Sequence, residues 1–410
     1  MAVPLPWVGA GRMFEKWRIF VGNEGVMFSA FMLLLVSCSP KDFVDEPPST
    51  PLLGEQVLVT PGPGMPVEAE SMPSNNNLDV VWHNDRVFYA FRTAPDHFAS
   101  EQTRLHVVSS VDQVDWEHEV TVHRDTDVRE PRFLSLGDKL FLYFAVLGTD
   151  PFAFEPQGTM VSVYEEGVWS EPVWMSDDNL IPWRTRMVDG VATMIGYVGG
   201  DEIYDLEGYP AIEVKWMTSP DGLNWTGHTV WTGGGSETDF AFEASGRLVA
   251  VVRNEAGDSE GFGSLICSAE PDSLLEWECR HDPRKYDSPL VFAHDGEIWL
   301  IGRRNVTETG HFDLGLDDLS HDTQFLNYSA EYWQTPKRCS LWRVDGDTLL
   351  VDHVLDLPSK GDTCFASILP VGEKSYEIYN YSSDPDGPDV SWFEGQRGNT
   401  NIYRQRLTFP

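Results

Sequence analysis

Residues Gly233–Arg253 read GGGSETDFAFEASGRLVAVVR. A glycine-rich turn leads into a short apolar strand, Phe240 to Phe242, Ser245-Gly246 reverses the chain, and a second apolar strand, Leu248 to Val252, ends in an arginine. Two antiparallel strands joined by a tight turn bring their far ends together, so Glu237 and Asp239 are expected on the same rim as Arg253. The stretch therefore predicts a hairpin that presents carboxylates beside a guanidinium.

The pattern recurs along the chain. Asp79 to His83 is followed by a turn and Arg86 to Arg92; Pro131 to Leu134 by Gly137-Asp138 and Leu140 to Val146; Arg184 to Val188 by Asp189-Gly190 and Val191 to Val198. Ser288 to Phe292 leads through Asp295-Gly296 to Glu297–Arg304, and Asp362 to Ile368 through Gly372-Glu373 to Tyr376–Ser382. The midpoints of the second strands, Tyr89, Leu142, Met194, Ala250, Leu300 and Tyr379, are 53, 52, 56, 50 and 79 residues apart. Six units near such a period predict a propeller. Two further strands complete a unit, Arg104–Ser110 and Trp116–His123 in the first, Ile212–Ser219 and His228–Trp231 in the third. The expected fold is all-β: a six-bladed β-propeller of four-stranded antiparallel blades, first strand innermost, with no long helical period after residue 40. The last unit stops one strand short, and Gln56 to Thr60 is expected to supply that strand and close the ring.

The 410 residues carry 65 acidic against 29 basic side chains, a formal charge of -36 that disfavours a nucleic-acid partner. At the amino terminus Arg12, Lys16 and Arg18 precede an apolar run, Val26 to Val36, too short to span a bilayer. Its end, Leu35-Val36-Ser37-Cys38, resembles the lipobox of bacterial lipoproteins. That resemblance implies a signal peptide over residues 1–37, acylation of Cys38, and a lipid anchor in the cell envelope, periplasmic or on the cell surface. Residues 38–55 then read as a tether and 56–410 as one propeller. The remaining cysteines are even in number, as in exported chains. Cys267 and Cys279 fall on neighbouring strands of the fourth unit and are expected to pair, leaving Cys339 with Cys364. No cysteine spacing suggests zinc, and His83, His97 and His123 share no ligand spacing, so neither metal nor other cofactor is expected.

Ser110-Val-Asp112-Gln-Val-Asp-Trp116 and Ser219-Pro-Asp221-Gly-Leu-Asn-Trp225 share Ser-x-Asp-x-x-x-Trp between third and fourth strands, with a looser version at Ser268 to Trp277 containing Asp272. The aspartate satisfies the amides of its own turn and the tryptophan packs between blades. This turn is similar to the Asp-box of the sialidase family, and with six units the chain resembles a sialidase-like propeller over residues 78–408. The resemblance implies hydrolysis of glycosidic bonds at the mouth opposite these turns. It matches Glu237 with Arg253 as the family's paired Glu and Arg, Arg303 or Arg304 as a second substrate arginine, and Asp96, followed by His97, as the catalytic acid. The chain departs from the family at two places: Asp79-Val-Val-Trp82 stands where Phe-Arg-Ile-Pro opens blade one, and Phe365 where the nucleophilic Tyr opens the last blade.

Strand ends on that mouth carry Asp79 and Arg92; Glu130 and Arg132; Arg184, Arg186 and Tyr197; Glu237, Asp239 and Arg253; Asp287, Arg303 and Arg304; and Asp362, Tyr379 and Tyr381. Such pairs either lock the inner strands together or recognise a hydroxyl-rich or acidic sugar, and their concentration at one mouth favours the glycan. Without the family Tyr, a two-carboxylate mechanism remains, drawn from Glu237, Asp287, Asp239, Glu130 and Asp362, with Glu237 and Asp287 favoured. Arg92, Arg132, Arg186, Arg253, Arg303, Arg304, Asp362 and Tyr381 are the expected substrate-binding set. An insertion over residues 305–337, with Phe312, Phe325, Tyr328, Tyr332 and Trp333, is expected to lie over the same mouth. The function so read is a glycoside hydrolase acting on an extracytoplasmic glycan; the alternative is a propeller lipoprotein that binds a glycan or protein without chemistry.

Overall fold

The computed structural model describes residues 50–410 apart from 152, 177–178 and 205–208. Cys38 and the leader lie outside the described residues. Six antiparallel sheets form the blades of a propeller. Blade one comprises Ser74–His83, Arg86–Ala94, Arg104–Ser110 and Glu117–Val122. Blade two runs Asp127–Leu136, Lys139–Leu147, Pro156–Glu165 and Val173–Ser176, and blade three Ile181–Val188, Val191–Val198, Ile212–Ser219 and Thr226–Gly233. Blade four is Thr238–Phe242, Leu248–Asp258, Gly261–Ala269 and Glu278–Asp282, and blade five Leu290–His294, Glu297–Asn305, Lys337–Asp345 and Leu350–Asp356. The strand pattern has a direct cause: the second strand of each blade is apolar on both faces because a neighbouring blade covers each one, as in Lys139–Leu147, where only the first residue is exposed.

Blade six draws on both ends of the described residues. Lys360–Thr363 and Ser367–Gly372 pair with Ser375–Ser383, which pairs with Asn401–Thr408, and Leu52–Thr60 adds the outer strand. The closing strand thus starts at Leu52, four residues before the expected Gln56, because Leu52 and Leu53 pair with Thr408 and Leu407. Six residue pairs hold this seam. At roughly 0.2–1 kcal/mol per cross-strand pair, deleting residues 50–60 is expected to cost about 3 kcal/mol and to lower the midpoint of a far-ultraviolet circular dichroism melt. An unchanged midpoint would show that the seam does not contribute.

Both expected disulfides are present. Cys267 and Cys279 face each other across strands three and four of blade four, Cα atoms 4.0 Å apart, while Cys339–Cys364 joins blade five to blade six. Two disulfides fit an oxidising, extracytoplasmic compartment. On the mouth away from the cavity, the Oδ1 of Asp112 accepts the amides of Val114 and Asp115, and that of Asp221 accepts Leu223 and Asn224, so each turn is folded on its own aspartate.

Among the described residues two α-helices interrupt the all-β pattern, in which no long helical period is expected. The insertion holds His321–Gln334, and Trp392–Arg397 lies between the last strands of blade six. The longer helix buries only Phe325, Tyr328 and Tyr332, a three-residue face too narrow to register as a long apolar period. Those rings pack with Phe262, Phe312 and Trp392.

Candidate functional site

The inner strands do not run straight into the mouth. Their register slips between Asn76 and Leu78 in blade one and between Arg129 and Arg132 in blade two, and the residues in these bulges, Asn77 and Glu130, take left-handed backbone angles, φ 35° and 55°. Ser288, just ahead of the blade-five inner strand, has φ 53°, and Cys364, in the break between the two inner segments of blade six, has φ 79°. Non-glycine residues avoid this region, and such strain recurs where a side chain must be aimed. Here the effect is convergence: Asn77, Glu130 and Ser288 line one cavity of about 330 Å³ together with Glu237, next to Phe365. That volume falls in the range of small-molecule sites.

Three guanidiniums share the wall: Arg129, Arg253 and Arg303. Arg253 donates from Nη1 to Glu237 Oε1 at 2.7 Å, pairs through Nε with Asp287 Oδ1 at 3.1 Å, and also contacts Glu255. Arg303 donates to Asp287 Oδ2 at 2.9 Å and to the Thr363 carbonyl at 2.7 Å, with the Trp392 ring 4.8 Å away. Arg129 forks onto Asp127 at 3.1 and 2.5 Å. Tyr197, Phe365, Tyr381, Trp392, Phe393 and Trp333 supply an aromatic lining, the last from the insertion helix.

The two cavity glutamates differ. Glu237 is pinned: its Oε1 takes Arg253 and its Oε2 accepts the Ser288 amide at 2.7 Å. Glu130 receives only Asn77 Nδ2 at 3.3 Å on Oε1, while its Oε2 has no hydrogen-bond partner and stands 4.0 Å from Arg132. Burial raises the Glu130 carboxyl to about 7, against the pull of Arg132 and with a further push from Glu237. One glutamate is thus a fixed hydrogen-bonded group and the other a carboxyl that holds its proton near neutrality. Tyr197, beside both, is raised well above the usual phenol range, first by burial and then by Glu237 and Glu130.

The other expected residues lie behind this wall. Asp287 is 1% exposed and collects Arg253, Arg303, the Tyr332 hydroxyl at 2.9 Å and Lys285 at 3.3 Å. Asp239 is fully buried, accepts the amides of Phe240 and Val291, and pairs with Arg184 and Arg186, tying blades three, four and five together. Arg92 is spent on Asp127, Asn76 and the Phe98 carbonyl, and Arg304 turns outward to Asp356. Asp96 accepts the Phe98 amide, while the next residue, His97, enters the cavity. Asp362 is buried and accepts from Tyr381 at 3.0 Å and Trp392 at 3.1 Å, with His97 Nδ1 at 2.7 Å. Tyr379 points away, to Gln113. Arg132 is fully buried, its guanidinium without a hydrogen bond to any described residue and stacked 4.4 Å from Phe365 and 4.8 Å from Trp183.

Of the expected set, Glu130, Glu237, Arg253, Arg303 and Tyr381 come together in the cavity. Arg129, Asn77, His97, Trp392 and Gln396 were not foreseen in these roles. Alternation along blade two assigns Arg132 to the mouth, but the bulge at Glu130 moves Arg129 there instead. The short helix that brings Trp392 and Gln396 does have a signal, the capping box Ser391-Trp-Phe-Glu394.

No family model matches the chain, and a comparison with curated proteins finds no match. Among solved structures it is similar to a Dyadobacter fermentans protein of unknown function, at TM-score 0.59 and 14% identity over 88% of this chain and 100% of that one. It is also similar to the Trypanosoma rangeli sialidase, at TM-score 0.53 and 14% identity over 81% of this chain, and to that sialidase in complex with sialic acid, at TM-score 0.51 and 13% identity over 82%. This chain spans about half the length of the sialidase, 54% of it. What is shared at this identity is the fold, a six-bladed propeller of the sialidase kind.

Proposed function

We propose that the protein is an extracytoplasmic glycosidase acting on an acidic glycan, anchored through Cys38 with residues 1–37 removed as its signal peptide. The observation that carries the reading is a single cavity in which Glu130, loosely held and protonated near neutrality, shares the wall with Glu237, fixed by Arg253 and the Ser288 amide. Two carboxyl groups with opposed environments are the requirement for glycoside hydrolysis. In this reading Glu130 donates its proton to the departing oxygen, and Glu237 stabilises the positive charge that develops at the anomeric carbon. Arg129, Arg253 and Arg303 fit a carboxylate on the sugar, a preference supported by the sialic acid bound by the sialidase of the same fold.

Phe365 favours a second reading, a propeller that binds such a glycan without chemistry. Its ring covers the Arg132 guanidinium, so the position at which the family places a nucleophile is here part of a buried cation–aromatic stack. Hydrolysis of a panel of sialosides, uronides and neutral aryl glycosides by the purified protein, beside Glu237→Gln, separates the two. Turnover that the variant lowers by about 10²-fold or more is expected for the enzyme. Absence of turnover on every member, with glycan binding retained, would establish the binder.

A further inference from the structure

A hydrolysis that adds water needs a group to take the water's proton, and neither cavity glutamate suits that task. Glu237 has both oxygens occupied, and Glu130 holds the proton that the leaving group requires. Among the described residues, the cavity wall carries one further titratable side chain suited to accept a proton from water, and it comes from the loop between the second and third strands of blade one. We propose that His97 is the general base of this site, oriented by Asp362, a step that rests on the hydrolytic reading above.

The geometry supports the assignment from several sides. His97 Nδ1 lies 2.7 Å from Asp362 Oδ2, and Asp362 is itself immobilised by the Tyr381 hydroxyl and the Trp392 indole on its other oxygen. The loop is fixed as well: the His97 amide donates to the Gln396 carbonyl at 3.0 Å, and its own carbonyl accepts from Arg129 at 3.4 Å. The imidazole side chain is 17% exposed, on the cavity wall, and its Nε2 has no hydrogen-bond partner among the described residues. A carboxylate on Nδ1 sets the tautomer that leaves Nε2 with a free lone pair, and stabilises the imidazolium once a proton arrives. The charged and titratable groups around the ring are Asp362 and Tyr381 in blade six, Arg129 in blade two, and Arg303 in blade five acting on Asp362. Burial would raise the Asp362 carboxyl, yet His97 and Arg303 outweigh it and hold it below its ordinary range.

The step balances within the protein. The glycosidic C–O bond breaks as Glu130 protonates the departing oxygen. Water forms the new C–O bond and passes a proton to His97 Nε2, and exchange with solvent resets both groups. Asp362 touches no substrate and is a positioning residue.

The test uses the purified protein with the best substrate from the glycoside panel, as wild type, His97→Gln and Asp362→Asn. His97 pairs with a buried carboxylate, so its replacement is expected to lower the thermal melt, while kcat, read at a temperature where both proteins are folded, falls about 10²-fold. Azide, which attacks without a base, is expected to restore turnover of His97→Gln and to yield a glycosyl azide. Asp362→Asn is expected to lower kcat while KM stays near the wild-type value, because the ring loses the carboxylate that orients it while the cavity wall that meets the sugar is kept. Undiminished turnover in His97→Gln, or a loss that azide does not rescue, would overturn the assignment and leave Glu130 and Glu237 standing. A wild type that hydrolyses nothing while binding glycan would overturn the hydrolytic reading and this step with it.

Discussion

Replacing Glu130 by Gln is expected to lower kcat by about 10²–10⁴-fold on substrates with alkoxide leaving groups, with little change in KM. The amide keeps the volume and the Asn77 contact but has no proton to donate. Substrates whose aglycone leaves as a stabilised phenolate need little protonation, so their turnover is expected to fall far less; an equal loss on both classes would remove Glu130 from the role of acid. The wild-type rate is expected to decline as pH rises through about 7, where Glu130 loses its proton, and that alkaline limb is expected to be missing in the variant. Stability supplies an independent check with a defined sign. A carboxyl raised from 4.5 to about 7 by folding favours the native state most below the unfolded value, and that contribution is lost as pH rises through the folded one. The span corresponds to roughly 3 kcal/mol. Glu130→Gln is therefore expected to melt near wild type at pH 5 and above it at pH 8. Parallel melting curves for the two proteins across this range would show that Glu130 is not held neutral by burial.

The architecture was legible because its signals are additive along the chain. Each blade repeats an apolar second strand bounded by turn residues, so six weak patterns reinforce one period, and a last unit short of a strand points directly at the stretch ending in Thr60. The disulfides followed from the same frame, since Cys267 and Cys279 fall opposite each other once strands three and four are aligned. The cavity was less legible because its construction violates the alternation on which strand reading depends. One extra residue at Asn77 and one at Glu130 exchange the faces of everything beyond them, which moved Arg129 in and Arg132 beneath Phe365. Ends of strands also read alike whether their charges meet solvent or one another. Arg92, Arg186 and Arg304 pair with Asp127, Asp239 and Asp356 away from the cavity, whereas Arg129, Arg253 and Arg303, paired in turn with Asp127, Glu237 and Asp287, differ by standing on its wall. The insertion contributes Trp333 to the cavity wall, but its helix was hidden by a three-residue buried face.

Asp287→Asn is expected to destabilise the protein by about 3–5 kcal/mol, the usual cost of removing one partner from a buried ion cluster. Asp287 sits at the crossing of four groups from different parts of the chain: Arg253 from blade four, Arg303 from blade five, Lys285 from the connection between them, and Tyr332 from the insertion helix. Lys285 is fully buried and would keep a single carboxylate partner among the described residues, Glu255 at 2.7 Å, so the loss removes one of the two groups that offset its charge where water cannot reach. The variant also frees two cavity guanidiniums from the group that fixes their direction, so binding of an acidic glycan is expected to weaken even at temperatures where the fold holds. Burial alone would raise the Asp287 carboxyl, but Lys285, Arg253 and Arg303 together hold it well below the carboxylate range. A depressed carboxylate contributes stability that is present above the unfolded value and is lost as pH falls through the folded one. The gap in melting temperature between wild type and variant is thus expected to be full at pH 7 and to narrow under strongly acid conditions. Tyr332→Phe removes one hydrogen bond from the same cluster and leaves every charge paired, for an expected loss of about 1–2 kcal/mol. If the two variants lose equal stability, the cluster is held by packing of the insertion helix, and Asp287 is not its centre.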